Sequence, residues 1–187
     1  MITNGVLNWP SSPITFDPAK KGTTVTLSGG NLTASVLPAT AMCLGTVGKS
    51  SGKWYWEIEI ASGSNGFGVG IAQIQSNYNQ AVGATTNAWG YTVFFTGSYK
   101  INGGVAPTYG IAFTTGARIG IALDMDSNSI TMYVNGVSQG IMYSTLYGTV
   151  FPAIGSYLYS ATYIAHFAAG SFLFTPCLLY TSPSPRD

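Results

Sequence analysis

KWYWEIEI, residues 53–60, decides the fold. Successive side chains of an extended chain point to opposite faces, so Trp54, Trp56, Ile58 and Ile60 share one side and Tyr55, Glu57 and Glu59 the other. An apolar face backed by a polar one is the pattern of a half-buried β-strand, and the same period recurs outward from it. Residues 66–72 set Phe67, Val69 and Ile71 against Gly68, Gly70 and Ala72. Residues 118–125 set Ile119, Ile121, Leu123 and Met125 against Gly120, Ala122 and Asp124, and residues 130–134 repeat the pattern with Ile130, Met132 and Val134. Further strands are expected at 23–28, 31–37, 90–96, 150–155 and 162–167.

Turn signals separate these runs: Gly29-Gly30-Asn31, Asn65-Gly66, Asn102-Gly103-Gly104, Asp126-Ser127-Asn128 and Asn135-Gly136. The last two join residues 118–125, 129–134 and the segment from Val137 into a three-strand meander, since Asn-Gly suits the positive φ angles of a tight hairpin. No window carries apolar residues at helical spacing among helix formers. Many short strands with one apolar face imply two antiparallel sheets packed face to face.

Composition narrows the function. Charged residues are 7% of the 187, against roughly a quarter in an average soluble chain. Seven basic and six acidic residues leave a formal charge of +1, which provides no clustered Lys and Arg for a nucleic-acid backbone. Mean hydropathy is positive, but no apolar run approaches the roughly 18 residues of a spanning helix, so no membrane partner is expected.

Catalytic motifs are present in spelling only. Gly136-Val137-Ser138-Gln139-Gly140 spells a nucleophile elbow, yet a hairpin leads into it, no helix follows, and the sole histidine, His166, precedes the only later acid, Asp187. Glu57 and Glu59 share a strand face as paired carboxylates do in glycosidases. β-Sandwich glucanases carry a third acid on that strand, where Ser62 stands here. The two glutamates are therefore expected to be ordinary carboxylates near Lys49 and Lys53. The run from Asp124 to Asn128 opens like a calcium loop but has Ser129 and Asn135 where Gly and Glu belong, so turn chemistry accounts for it and no metal is expected. The glycines of residues 66–70 do not spell a phosphate loop, and they read as places where another backbone or a large aromatic comes close. Asn31-Leu32-Thr33 is a glycosylation sequon by spelling. No cofactor is expected.

The ends read differently from the middle. CLLYTSPSPRD, residues 177–187, resembles the translation of a sequencing-library adapter read through in frame, and is expected to be an artefact outside the fold. With Cys177 set aside, Cys43 is expected to be a small buried hydrophobe. The first ten residues spell no secretory signal, so a cytoplasmic or virion-associated protein is expected.

Taken together, several segments resemble the SPRY domain: Gly52 to Ile58 (GKWYWEI), Gly66 to Ile71 (GFGVGI), Ala88 to Tyr91 (AWGY), Ile119 to Asp124 (IGIALD), Ile130 to Gly140 (ITMYVNGVSQG), Phe151 to Gly155 (FPAIG) and Ala165 to Phe167 (AHF). They stand in the family's order over residues 50–176. His166 replaces the family's usual asparagine, Ala168 its glycine, and Phe16 a tryptophan of the lead-in. The resemblance implies an all-β, twisted antiparallel two-sheet sandwich, a concanavalin-like jelly roll. It would span residues 16–176 after a lead-in at 1–15. The stretch from Phe16-Asp17-Pro18 through Leu32-Thr33-Ala34 resembles the one that leads into the domain in microbial and phage-like members. The resemblance further implies a non-enzymatic module that binds a protein or peptide through loops at one edge; a carbohydrate-binding module is the alternative.

Binding is expected on loops, because the strands carry the scaffold. The longest irregular stretch, 76–87, supplies Tyr78 and Asn79. The segment 97–102 supplies Tyr99 and Asn102, and 156–160 supplies Tyr157 and Tyr159; Trp89 completes the expected ligand-contact set. In peptide-binding members of the family, a tyrosine after the Trp-Gly pair and the loop after the Pro-Ala-Ile-Gly strand line the pocket, which the resemblance carries to Tyr99 and Tyr157. Rings with few rotatable bonds among Ser, Asn and Gly suit recognition at low charge.

Overall fold

The computed structural model describes residues 13–95 and 97–174, so residues 1–12 of the lead-in and all of 177–187 lie outside the described residues. Thirteen strands follow in order: β1 (Phe16–Lys21), β2 (Val25–Ser28), β3 (Thr33–Val36), β4 (Ala41–Gly45), β5 (Lys53–Gly63), β6 (Phe67–Ala72), β7 (Ala88–Phe94), β8 (Gly97–Ile101), β9 (Arg118–Asp124), β10 (Ser129–Val134), β11 (Val137–Tyr143), β12 (Phe151–Ser156) and β13 (Ala161–His166). A six-stranded sheet runs β1-β4-β12-β6-β7-β8 and a seven-stranded sheet runs β11-β10-β9-β5-β13-β3-β2. All pairings are antiparallel. The expected meander is β9-β10-β11, closed by Asn128 and Asn135 at positive φ.

The alternation read in residues 53–60 sets the core. Trp56, Ile58 and Ile60 of β5 meet Val69 and Ile71 of β6, Trp89 and Tyr91 of β7, and Ile119 and Ile121 of β9 between the sheets. Each such large side chain contributes about 1.5–3 kcal/mol by leaving water. Trp54 shares that face but lies at the strand's end and is only partly buried. Its Nε1 donates to the Ser51 carbonyl at 2.7 Å, and Lys49 Nζ sits 3.3 Å from the ring centroid. Ile14, expected in the lead-in, is buried in the same core.

Three strands were not expected from the pattern. β4 (AMCLG) is buried on both faces, so it shows no alternation. β1 carries Asp17 and Pro18 at the sheet edge, with an irregular register against β4. β8 is a short edge strand of mostly small or polar residues, which read as a loop. Cys43 of β4 is buried as expected, and burial pushes its thiol up to about 12.

Each sheet also has an outer face, and the two are treated differently. On the six-stranded sheet, Met42, Leu44, Ala72, Ala88, Phe151 and Ala153 form a second apolar cluster with Val82, which comes from the stretch 76–87 laid across them. A β-carbon at Gly90 would stand 2.6 Å from the Val82 carbonyl oxygen, so the sheet accepts that backbone only because Gly90 has no side chain. On the seven-stranded sheet, Glu57, Glu59, Arg118 and His166 face outward, and the chain after β13 crosses over Glu57 through a single 3-10 turn at Ala169–Ser171.

Candidate functional site

The structure separates the seven expected contact residues into three groups. Tyr78 and Asn79 begin the stretch that covers the six-stranded sheet. The Tyr78 carbonyl accepts from Met42 N at 2.9 Å, and Asn79 Oδ1 accepts from the Thr23 amide at 2.8 Å and its hydroxyl at 3.1 Å. Asn102 Nδ2 donates to the carbonyls of Thr86 at 2.9 Å and Ala88 at 2.8 Å, which fastens the end of the same stretch. Trp89 is 2% exposed, in the core and edge-on to Tyr147 at 5.3 Å, so its indole is closed to a surface ligand. Its alternation with Gly90 on β7 turns it inward.

The remaining three converge. The β7–β8 hairpin and the loop after β12 meet at one end of the sandwich. Phe94 packs against Tyr99 at 6.0 Å and edge-on against Tyr157 at 5.6 Å, while Phe95 packs edge-on against Tyr159 at 5.4 Å. The backbone sets this rim: Gly66 N donates to the Val93 carbonyl and Tyr157 N to the Gly66 carbonyl, both at 3.0 Å. Ser156 Oγ closes the loop onto the Tyr159 carbonyl at 2.5 Å. Phe95 is 77% exposed, Leu158 57% and Tyr157 44%. The sequence reading missed Phe94, Phe95 and Leu158. Two adjacent aromatics before a glycine could have marked a hairpin tip with one ring turned out; nothing in the residues flags Leu158. A shallow cleft lined by Gln73, Ile74, Gly148, Thr149 and Phe151 does not include a rim residue.

The glutamate pair is placed otherwise than expected. The β5–β9 register sets Lys53 opposite Asp124 and Glu59 opposite Arg118. Lys53 Nζ therefore pairs with Asp124 Oδ2 at 2.7 Å, and Lys49 lies over Trp54, while the glutamates meet Arg118 and His166. Glu57 is fully buried. Its Oε1 accepts from Tyr55 Oη at 3.0 Å and Phe174 N at 2.9 Å, its Oε2 accepts from Leu173 N at 2.8 Å, and Arg118 Nη1 lies 3.7 Å away. Glu59 Oε2 takes Arg118 Nη2 at 3.2 Å and His166 Nε2 at 3.3 Å. Burial, then the Arg118 charge, holds the His166 pKa below its usual value, and Glu59 offsets this only in part. A carboxylate whose lone pairs are taken by the protein's own donors is a structural anchor rather than an acid awaiting substrate.

The other motifs resolve into turns. Ser138 lies on β11, and its hydroxyl accepts from Gly140 N at 3.2 Å. Asp124 Oδ1 accepts from the amides of Asp126 and Ser127, each at 3.1 Å, and Asp126 Oδ1 from Gly52 N at 2.7 Å.

Comparison with known proteins agrees with this architecture. Residues 53–170 match the SPRY domain family. The chain is 33% identical over 108 residues to the Ran-binding proteins 9/10 homolog of Drosophila melanogaster, covering 57% of this chain and 11% of that protein. It is 28% identical over 180 residues to Ran-binding protein 9 of Xenopus laevis, covering 91% of this chain and 33% of that one, so the chain spans about a third of the frog protein. It is also 28% identical over 156 residues to the E3 ubiquitin-protein ligase TRIM9 of Drosophila melanogaster, covering 75% and 20%. The fold is similar to the SPRY domain of human HERC1, with a TM-score of 0.68 at 18% identity, covering 82% of this chain and 98% of that one. These curated relatives are animal proteins and lend no support to the microbial or phage origin, or to the adapter reading, expected from the sequence. The order of the motifs, the two sheets they build and the family match over residues 53–170 lead to one conclusion: the chain belongs to the SPRY domain family.

Proposed function

We propose that this chain is a non-catalytic protein-interaction module that binds a protein or peptide through the rim of Tyr99, Tyr157 and Tyr159, with Phe94 and Phe95 beneath and beside them. The observation that carries this reading is the clustering of exposed aromatic and aliphatic side chains, Phe95, Tyr157 and Leu158, at one end of the sandwich, where Phe94 packs against Tyr157 and Phe95 against Tyr159. An exposed apolar cluster on a folded domain marks an interaction surface, and SPRY domains are in general protein-interaction modules without catalysis. In this reading Tyr78, Asn79, Trp89 and Asn102 position the scaffold, through the hydrogen bonds and burial described above, rather than touch the partner. Residues 16–176 are taken as the binding domain, and a chain ending at Pro176 is expected to melt at the same temperature as the full chain.

The test is a peptide array and a glycan array probed with the same protein. Retention on peptides that is lost in a Tyr99→Ser, Tyr157→Ser double variant, with an unchanged circular dichroism spectrum, supports the reading. Retention on glycans alone replaces it with carbohydrate binding.

A further inference from the structure

We infer that the rim recognises an uncharged segment of its protein partner and that Leu158 is the central anchor of the contact; this rests on the reading of the rim as the binding surface. The first observation is electrostatic. The rim is assembled from two stretches, 60–99 and 127–165, neither of which contains an Asp, Glu, Lys, Arg or His. Lys100, next along β8, is turned away: its Nζ donates to the Met142 carbonyl at 3.0 Å and lies over the rings of Tyr109 and Tyr143. A charged group pressed onto this surface would lose water and find no counter-charge, which disfavours it. Uncharged apolar and amide groups meet no such penalty.

The second observation is backbone strain at the tip. Leu158 has φ 65°, and among the described residues the other non-glycine residues at positive φ are Asn31, Asn128 and Asn135. Asparagine tolerates that region by bonding its own backbone; a leucine has no such compensation. The fold holds it there from both sides, through Tyr157 N on the Gly66 carbonyl and Ser156 Oγ on the Tyr159 carbonyl. The conformation leaves the aliphatic side chain exposed between two tyrosines. Strained residues held by over-determined surroundings cluster at ligand contacts. The flanking rings meet Phe94 and Phe95 at 84° and 86°, so the exposed aliphatic Leu158 stands beside two T-shaped ring pairs.

The experiment uses an array of short synthetic peptides with the same Leu, Phe, Tyr, Ser and Asn content, differing only in added Lys or Glu, read at low and high salt. Uncharged peptides are expected to be retained, with affinity changing by less than about two-fold between the salts. Leu158→Ser is expected to weaken them by about ten-fold or more. Leu158→Gly relieves the backbone and is expected to weaken binding equally while the melting temperature holds or rises, a split that a merely structural leucine would not produce. Retention of charged, salt-sensitive peptides that still require Tyr157 overturns the uncharged class while leaving the rim as the binding surface. Peptides indifferent to Tyr99, Tyr157 and Leu158 alike overturn both. Retention of no peptide, or self-association in sedimentation that Leu158→Ser abolishes, overturns the assignment of a separate uncharged partner.

Discussion

The outer faces of the two sheets solve the same problem with opposite chemistry. The six-stranded sheet is closed by an apolar plug, Val82 on a floor that includes Gly90, Ala72 and Ala88, with the Lys20–Asp17 pair at its edge, where Lys20 lies over Phe151. The seven-stranded sheet gathers Glu57, Glu59, Arg118 and His166 and is closed at Glu57 by backbone amides of the chain's last described turn. Apolar closure is non-directional and tolerates sliding, whereas a buried carboxylate with three donors specifies one position for the strap that covers it. The difference explains how a chain with so few charges still spends several of them in one place: they fix register and tie down the end of the domain. The aromatic rim proposed to bind a partner is left with none.

The sharpest way to break the contrast is Glu57→Ala. It opens a cavity, leaves Arg118 with Glu59 as its remaining carboxylate and leaves the Leu173 and Phe174 amides without acceptors, so a loss of about 3–5 kcal/mol is expected in urea unfolding. A loss below about 1 kcal/mol would show that the strap is not held by this carboxylate. On the opposite face, Gly90→Ala drives a methyl group toward the Val82 carbonyl and is expected to cost about 1–3 kcal/mol by overpacking. Chymotryptic cleavage after Tyr78 should accelerate in that variant and not in Glu57→Ala.

A smaller effect separates the faces by pH. The His166 pKa is lower in the folded protein than in the unfolded chain, so as pH falls the unfolded state takes up the proton first. Its contribution is therefore intact above the unfolded value of about 6.5 and is lost as pH falls toward the folded value. Thermal melts should fall between neutral pH and that window, and His166→Asn should flatten the decline.

Asp124 acts in a lower window. Burial raises its pKa, but the Lys53 hydrogen bond and Ser127 outweigh this and leave it lowered, so its stabilisation is present above the ordinary carboxylate range and is lost in acid. Lys53 is 43% exposed, and Lys53→Ala is expected to cost no more than about 1 kcal/mol in the same melts.

How much was legible follows from what each residue reports locally. Period two in residues 53–60, 66–72 and 118–134 displayed the strands and their inward faces, because a half-buried strand prints its environment on alternate residues. β4 did not print it, since both its faces are buried, and β8 read as a loop. Of the aromatic rim, Tyr99, Tyr157 and Tyr159 were legible as rings in or beside irregular segments. Phe94, Phe95 and Leu158 were not, since exposure and a left-handed φ depend on how two distant hairpins meet. The glutamates were read as facing away from the core, which is so; that their face would be roofed by residues 172–174 left no local signature.

The amino-acid sequence by itself determined the strand content, the inward stripes, the main hairpins and the membership in a family, because alternation and turn chemistry act between near neighbours. Only the tertiary structure decided which loop became a plug, which carboxylate became an anchor and which tyrosines stood together. Those outcomes depend on register between strands far apart in the chain, where a shift of one residue turns every side chain to the other face.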